Sequence, residues 1–127
     1  MPDCLVVDDS RVVRRLARGM LERFGFTVRE AEDGEAALRA CQAARPDLIL
    51  LDRNMPVMDG LECLHALRRG FGEACPPVMF CTTEAALPRI MEALEAGARE
   101  YIMKPFDEAI LADKLAVMGF TPGGGAA

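Results

Sequence analysis

The sequence predicts an α/β domain in which five helices flank a five-stranded parallel sheet, and two observations predict it. Short apolar runs alternate along the chain with stretches of helical period, as repeated βαβ units require. Acidic, hydroxyl and basic residues follow the apolar runs at Asp8, Asp52, Thr82 and Lys104, so parallel strands would gather them at one edge of the sheet.

Cys4 to Val7 is the first strand, and Ser10 is placed to cap a helix in which Val12, Val13, Leu16, Ala17, Met20 and Phe24 recur at helical spacing. Gly25 ends that helix. Thr27 to Ala31 is the second strand, Asp33-Gly34 turns into an alanine-rich helix over Glu35 to Ala44, and Pro46 stops it. The unbroken apolar run Leu48 to Leu51 suits a central strand covered on both faces, and it leads directly into Asp52. A loop through Pro56 reaches a third helix over Asp59 to Arg69, and the connection Gly70 to Pro77 leads to a strand over Val78 to Cys81. Pro88 is tolerated only in a first helical turn, so the fourth helix starts near Leu87 and presents Ile90, Met91 and Leu94 on one face. Gly97 is its C-cap, Tyr101 to Met103 a short fifth strand, and Asp107 to Met118 the last helix.

At 127 residues, 51% of them hydrophobic, the chain suits one domain with one core, expected over 1–120. Residues 121–127 contain no core-forming side chain and are expected to be a disordered tail. A net charge of -5 argues against DNA and against anionic membranes, which select basic surfaces. No apolar run approaches the roughly 20 residues that cross a bilayer, and no signal-peptide pattern opens the chain, so membrane insertion is not expected and the expected address is cytoplasmic. Five cysteines without a C-x-x-C pair read as reduced thiols, and the single His65 adds little to a zinc site.

Asp8 and Asp9 after the first strand, Asp52 after the third, Thr82 after the fourth and Lys104 after the fifth form the candidate site. Taken singly, such an Asp is a cap or turn former, such a Thr a turn residue and such a Lys a solvated charge. Their recurrence at successive strand ends is what points to a site. Crowded carboxylates repel one another by roughly several kcal/mol in a shielded cleft, and a divalent cation relieves this. An all-oxygen set with few protein ligands suits Mg²⁺. Asp52 would then be a nucleophile toward a phosphoryl group, with Lys104 and Thr82 contacting its oxygens.

VVDDS at 6–10, LLDRNMPVMDG at 50–60, FCTTE at 80–84 and EYIMKPF at 100–106 resemble, in combination and order, bacterial response-regulator receiver domains. The similarity is greatest to the single-domain CheY-type regulators of chemotaxis and spans residues 3 to 120. It implies a flavodoxin-like sheet of order 2-1-3-4-5. It also implies phosphorylation of Asp52, Mg²⁺ held by Asp9, Asp52 and the backbone carbonyl of Asn54, and Asp8 acting through water. Thr82 and Lys104 would meet the phosphoryl group, the Lys104-Pro105 bond would be cis, and Tyr101 would be the aromatic switch. Asn54 and Glu84 match the pair that accompanies a labile phosphoryl group in CheY-type regulators. The implied partners are a histidine kinase or histidine phosphotransfer protein upstream and a protein target downstream, such as a flagellar motor switch, with the chain a monomer. Because the chain ends soon after its fifth helix, output is expected through a separate partner.

Thr83 departs from the small residue usual beside the phosphoryl pocket, and Arg53 is bulky and charged. Arg11, Arg14, Arg15 and Arg18 cluster on the first helix, either as a solvated face, as a docking surface for the phosphodonor, or as a contact for an anionic ligand. A phosphate sink or cell-cycle relay fits the same motifs. The alternative of a Mg²⁺-dependent phosphohydrolase with an Asp nucleophile meets an obstacle at Asn54, where enzymes resembling haloacid dehalogenases favour an acid/base Asp.

Overall fold

The structure, a computed structural model, describes residues 1–83 and 87–123 and the backbone of 125–126. Five strands, β1 (Asp3–Val7), β2 (Thr27–Ala31), β3 (Leu48–Asp52), β4 (Val78–Thr82) and β5 (Glu100–Met103), form one sheet in the order β2-β1-β3-β4-β5. Every adjacent pair is parallel. The intervening helices are α1 (Arg11–Phe24), α2 (Gly34–Ala43), α3 (Gly60–Phe71), α4 (Leu87–Glu95) and α5 (Glu108–Val117). The expected elements are all present, with the expected strand order.

Helix starts are set locally. The side chains of Ser10, Asp33, Asp59 and Asp107 each accept a hydrogen bond from a backbone N–H in the first turn, and Asp59 forms a reciprocal capping box with Glu62. Gly25, at φ 125°, closes α1 in a conformation that other residues rarely adopt.

Strand side chains alternate between faces, and this divides the core in two. Leu5, Val7, Ile49, Leu51, Val78 and Phe80 pack with Cys41 of α2, Cys63, Leu64 and Leu67 of α3, and Ala93 of α4. Cys4, Val6, Leu48, Leu50, Met79 and Cys81 pack with Ala17 and Leu21 of α1 and Leu111 and Leu115 of α5. β3 is buried throughout, as its continuous apolar sequence requires.

In α1 the apolar stripe does not lie wholly on the core: Val12 and Leu16 are 69% and 60% exposed, and Leu21, which the expected stripe omits, is fully buried. In α4, Met91 and Leu94 are 45% and 39% exposed and Ile90 is half-buried, while Ala93 packs inward. Beyond α5, Phe120–Thr121 pairs antiparallel with Gly125–Ala126, and Phe120 is buried against Phe26.

The start of α3 lies directly on the end of β3. The Gly60 N–H donates to the Arg53 carbonyl at 2.9 Å, and a Cβ at Gly60 would lie 2.3 Å from the Asp52 carbonyl oxygen. Backbone cannot yield as a flexible side chain would. Gly60→Ala should therefore destabilise the domain by about 1–3 kcal/mol, the usual cost of overpacking. A lowered urea midpoint at unchanged m-value is the expected result.

Candidate functional site

The C-terminal ends of β1, β3, β4 and β5 converge on one cleft. Asp8, Asp52 and Thr82 are buried there, and Asp9 is exposed at its mouth. Oxygen atoms of Asp8, Asp9 and Asp52 all lie within 4.8 Å of one another, the one such group among the described residues. Lys104 reaches in from beyond β5, its Nζ 2.7 Å from Asp8 Oδ2 and 3.1 Å from Asp52 Oδ1. The Lys104-Pro105 bond is cis, and the Lys104 N–H donates to the Thr82 carbonyl at 2.8 Å.

The carboxylates have different surroundings. Both Asp8 oxygens are engaged, Oδ2 by Lys104 and Oδ1 by the Ser10 N–H at 2.9 Å. Asp52 titrates above the usual carboxylate range: burial raises it, and nearby Asp8 adds to this, against the lowering influence of the Lys104 hydrogen bond and charge and of the Asn54 backbone. Burial pulls Lys104 downward, but its bonds to Asp8 and Asp52 outweigh that and hold it above its ordinary value. The ammonium is thus firmly charged.

The donor set fits a hard divalent cation. It consists of carboxylate oxygens, and Cys81, which pairs with Asp52 across the sheet, has its thiol pushed up to about 12 by burial and offers no thiolate.

Other expected residues fall around this centre. Asn54 is exposed in the loop after β3, where Val57 adopts φ 70°, a strained conformation for a β-branched residue. Tyr101 is half-buried on β5, with Lys114 Nζ 4.4 Å from its ring centroid. Thr83 is exposed and lines, with Lys104, Pro105, Phe106, Val13 and Leu16, an apolar groove of about 300 Å³ along α1. Glu84 lies outside the described residues. The α1 arginines do not form one free face. Arg14 and Arg18 bind Glu30 of β2 at 3.1 and 2.9 Å, while Arg11 and Arg15 are exposed.

Sequence reasoning missed two acidic partners, Glu30 and Glu92. The latter, on α4, forms an ion pair with Arg53, whose side chain is buried. Neither lies at a helical or turn spacing from its arginine, so only the folded sheet brings each pair together.

Comparison with known proteins decides the family. The family model described as "Response regulator receiver domain" matches residues 4–116. The chain belongs to the response regulator receiver family. It is 38% identical over 112 residues to the chemotaxis protein CheY of Pseudomonas aeruginosa, covering 87% of this chain and 90% of that one. It is likewise 38% identical over 112 residues to CheY-3 of Vibrio cholerae, covering 87% and 86%. Among solved structures, chemotaxis response regulator CheY4 of Vibrio cholerae superposes with a TM-score of 0.85 at 36% identity, covering 91% of this chain and 97% of that one. The receiver domain of the Francisella response regulator 1452 gives 0.84 at 27% identity, covering 93% and 96%. No helix of the described residues is long and apolar enough to cross a membrane.

Because the folded-state pKa of Asp52 lies above its unfolded value, this residue favours the fold only while protonated. That contribution is full below the ordinary carboxylate pKa of about 4 and is lost as pH rises through the raised value. Asp52→Asn should therefore be more stable than the parent at pH 7.5 in a chelating buffer, with the gain shrinking toward pH 4. Urea midpoints across that range measure it, and a gain that grew on acidification would contradict the sign.

Proposed function

We propose that this chain is a two-component response regulator that accepts a phosphoryl group on Asp52 from a histidine kinase or histidine phosphotransfer protein and signals by phosphorylation-dependent protein binding. The observation that carries this reading is the juxtaposition of Asp8, Asp9 and Asp52 with the Lys104 ammonium in one strand-end cleft. A buried carboxylate with its own fixed cation is placed to attack phosphorus and to have the product's charge matched.

Mg²⁺ would be held by Asp9, Asp52 and the backbone carbonyl of Asn54, with Asp8 acting through water. The differing surroundings of the carboxylates support that division, since Asp8 has both oxygens committed while Asp9 faces the cleft mouth. When bound, the ion supplies positive charge shared between Asp52 and the phosphoryl oxygens.

In the transfer, an Asp52 carboxylate oxygen forms the new O–P bond as the donor's N–P bond breaks. The imidazole nitrogen keeps the bonding pair and leaves as a neutral ring already protonated at its other nitrogen. Lys104 balances charge on one phosphoryl oxygen and the Thr82 hydroxyl donates to another. The apolar groove from Thr83 and Lys104 along α1, lined by the exposed Leu16, suits the docking of the phosphodonor beside the cleft. Movement of Thr82 toward the phosphoryl group would open space for the Tyr101 ring and change the surface of α4, β5 and α5 that partners read. The relatives' names make chemotaxis or flagellar control the pathway proposed.

Labelling by acetyl phosphate with Mg²⁺ should reach one phosphoryl group per chain and vanish in Asp52→Asn. Persistent labelling of that variant at normal stoichiometry would refute the nucleophile. Asp9→Ala should weaken Mg²⁺ affinity by roughly tenfold or more, read by metal titration.

The phosphorylated state should last seconds to a few minutes at 25 °C, a barrier on the order of 20 kcal/mol. Thr83 bears on this lifetime, because it lines the groove beside Lys104 and its methyl adds bulk that an attacking water would meet. Thr83→Ala should shorten the lifetime, and a lifetime of many hours in the parent would contradict a fast switch.

A further inference from the structure

Strand alternation sends the Asp52 and Arg53 side chains to opposite faces of the sheet. Asp52 follows Leu48 and Leu50 toward α1 and α5, and Arg53 follows Ile49 and Leu51 toward α3 and α4. A guanidinium in that second core needs a counter-charge, because burying an unpaired cation is costly. Arg53 is 8% exposed, its guanidinium lies 5.8 Å from the Phe80 ring centroid on β4, and its ion-pair partner is Glu92. Arg89, one turn earlier on α4, lies 3.6 Å from the same Glu92 carboxylate. Attraction to Arg53 holds the Glu92 carboxyl below its ordinary range.

The backbone of Arg53 is fixed as firmly as its side chain. Its N–H donates to the Cys81 carbonyl and its carbonyl accepts from Gly60 N–H, both at 2.9 Å. The side chain is therefore a strut from an immobile strand end to the middle of a helix. Apolar attachment of that helix is slight, since Ala93 is its one buried residue among those described and Leu87, Met91 and Leu94 are exposed.

We propose that the Arg53–Glu92 ion pair is a latch that holds α4 in its unphosphorylated position, making Arg53 a positioning residue that sets how readily Asp52 accepts a phosphoryl group. The inference rests on the function proposed above. α4 follows Thr82 and Thr83 in the chain, so any shift of Thr82 toward a phosphoryl group must be accommodated where α4 begins. The latch opposes that shift. Coupling of this kind is reciprocal: whatever favours the released position of α4 also favours phosphorylation.

The test is a double-mutant cycle on the full chain with Glu92→Gln, Arg53→Met and the double variant, reading the initial rate of Asp52 labelling by acetyl phosphate with Mg²⁺. Glu92→Gln removes the charge but keeps an amide oxygen that can still accept from Arg53, and unfolding in urea checks that the variant retains the parent's fold. It should label roughly five- to tenfold faster than the parent, the size of an ordinary allosteric coupling. In the Arg53→Met background the same substitution should change the rate by less than about twofold, since no latch remains to release. Amide hydrogen exchange over 87–95 should be faster in Glu92→Gln without any phosphodonor. A parent that labels while Glu92→Gln labels at the same rate or more slowly would overturn the latch alone. A parent that fails to label at all would overturn the proposed function and the latch with it. If Arg53→Met does not fold, the labelling rate and α4 exchange of Glu92→Gln against the parent still decide the matter.

Discussion

Two buried carboxylates share one ammonium, and the cleft depends on that arrangement. Lys104 is one fixed positive charge set against three carboxyl groups, Asp8, Asp9 and Asp52. An excess of acceptors over fixed cations keeps the cleft receptive to a divalent ion. The single ammonium prevents the repulsion from opening the strand ends. A second fixed cation beside Lys104 would relieve the repulsion without a metal and so weaken metal binding.

The parallel sheet makes this crowding possible. Residues far apart in sequence, from Asp8 to Lys104, meet only because each parallel strand delivers its C-terminal end to the same edge. β3 lies between β1 and β4 and is buried along its length, with Leu51 paired to Val7 of β1 and the terminal Asp52 paired to Cys81 of β4. Close contact of Gly60 with the same strand end removes slack from the support. The rigidity of the centre is therefore a property of backbone packing more than of the polar side chains.

The strands and the cleft were legible in the sequence because both follow from local pattern. Leu48 to Leu51 is apolar without a break, and each chemical residue directly follows such a run. Helix orientation was less legible. In α1, helical spacing is satisfied equally by Val12 and Leu16, which face outward, and by Ala17 and Leu21, which face inward. Periodicity finds a stripe but does not say which edge of it meets the sheet. Arg14 and Arg18 read as a free basic face because Glu30, which engages both, lies on a different element.

The distribution of burial among the helices explains why a polar contact should control α4. α3 buries Gly60, Cys63, Leu64 and Leu67, so moving it would expose several core side chains to water. α4 buries Ala93 among its described residues and leaves Leu87, Met91 and Leu94 outside. A helix with so little apolar attachment can shift at small hydrophobic cost, as a two-state element requires. Something else must then define its resting position. The Arg53–Glu92 pair does so from the strand end that carries Asp52, and because Glu92 is half-exposed, its carboxylate can exchange Arg53 for water without uncovering apolar side chains. The chemistry and the moving surface are thus joined through adjacent residues on opposite faces of one strand.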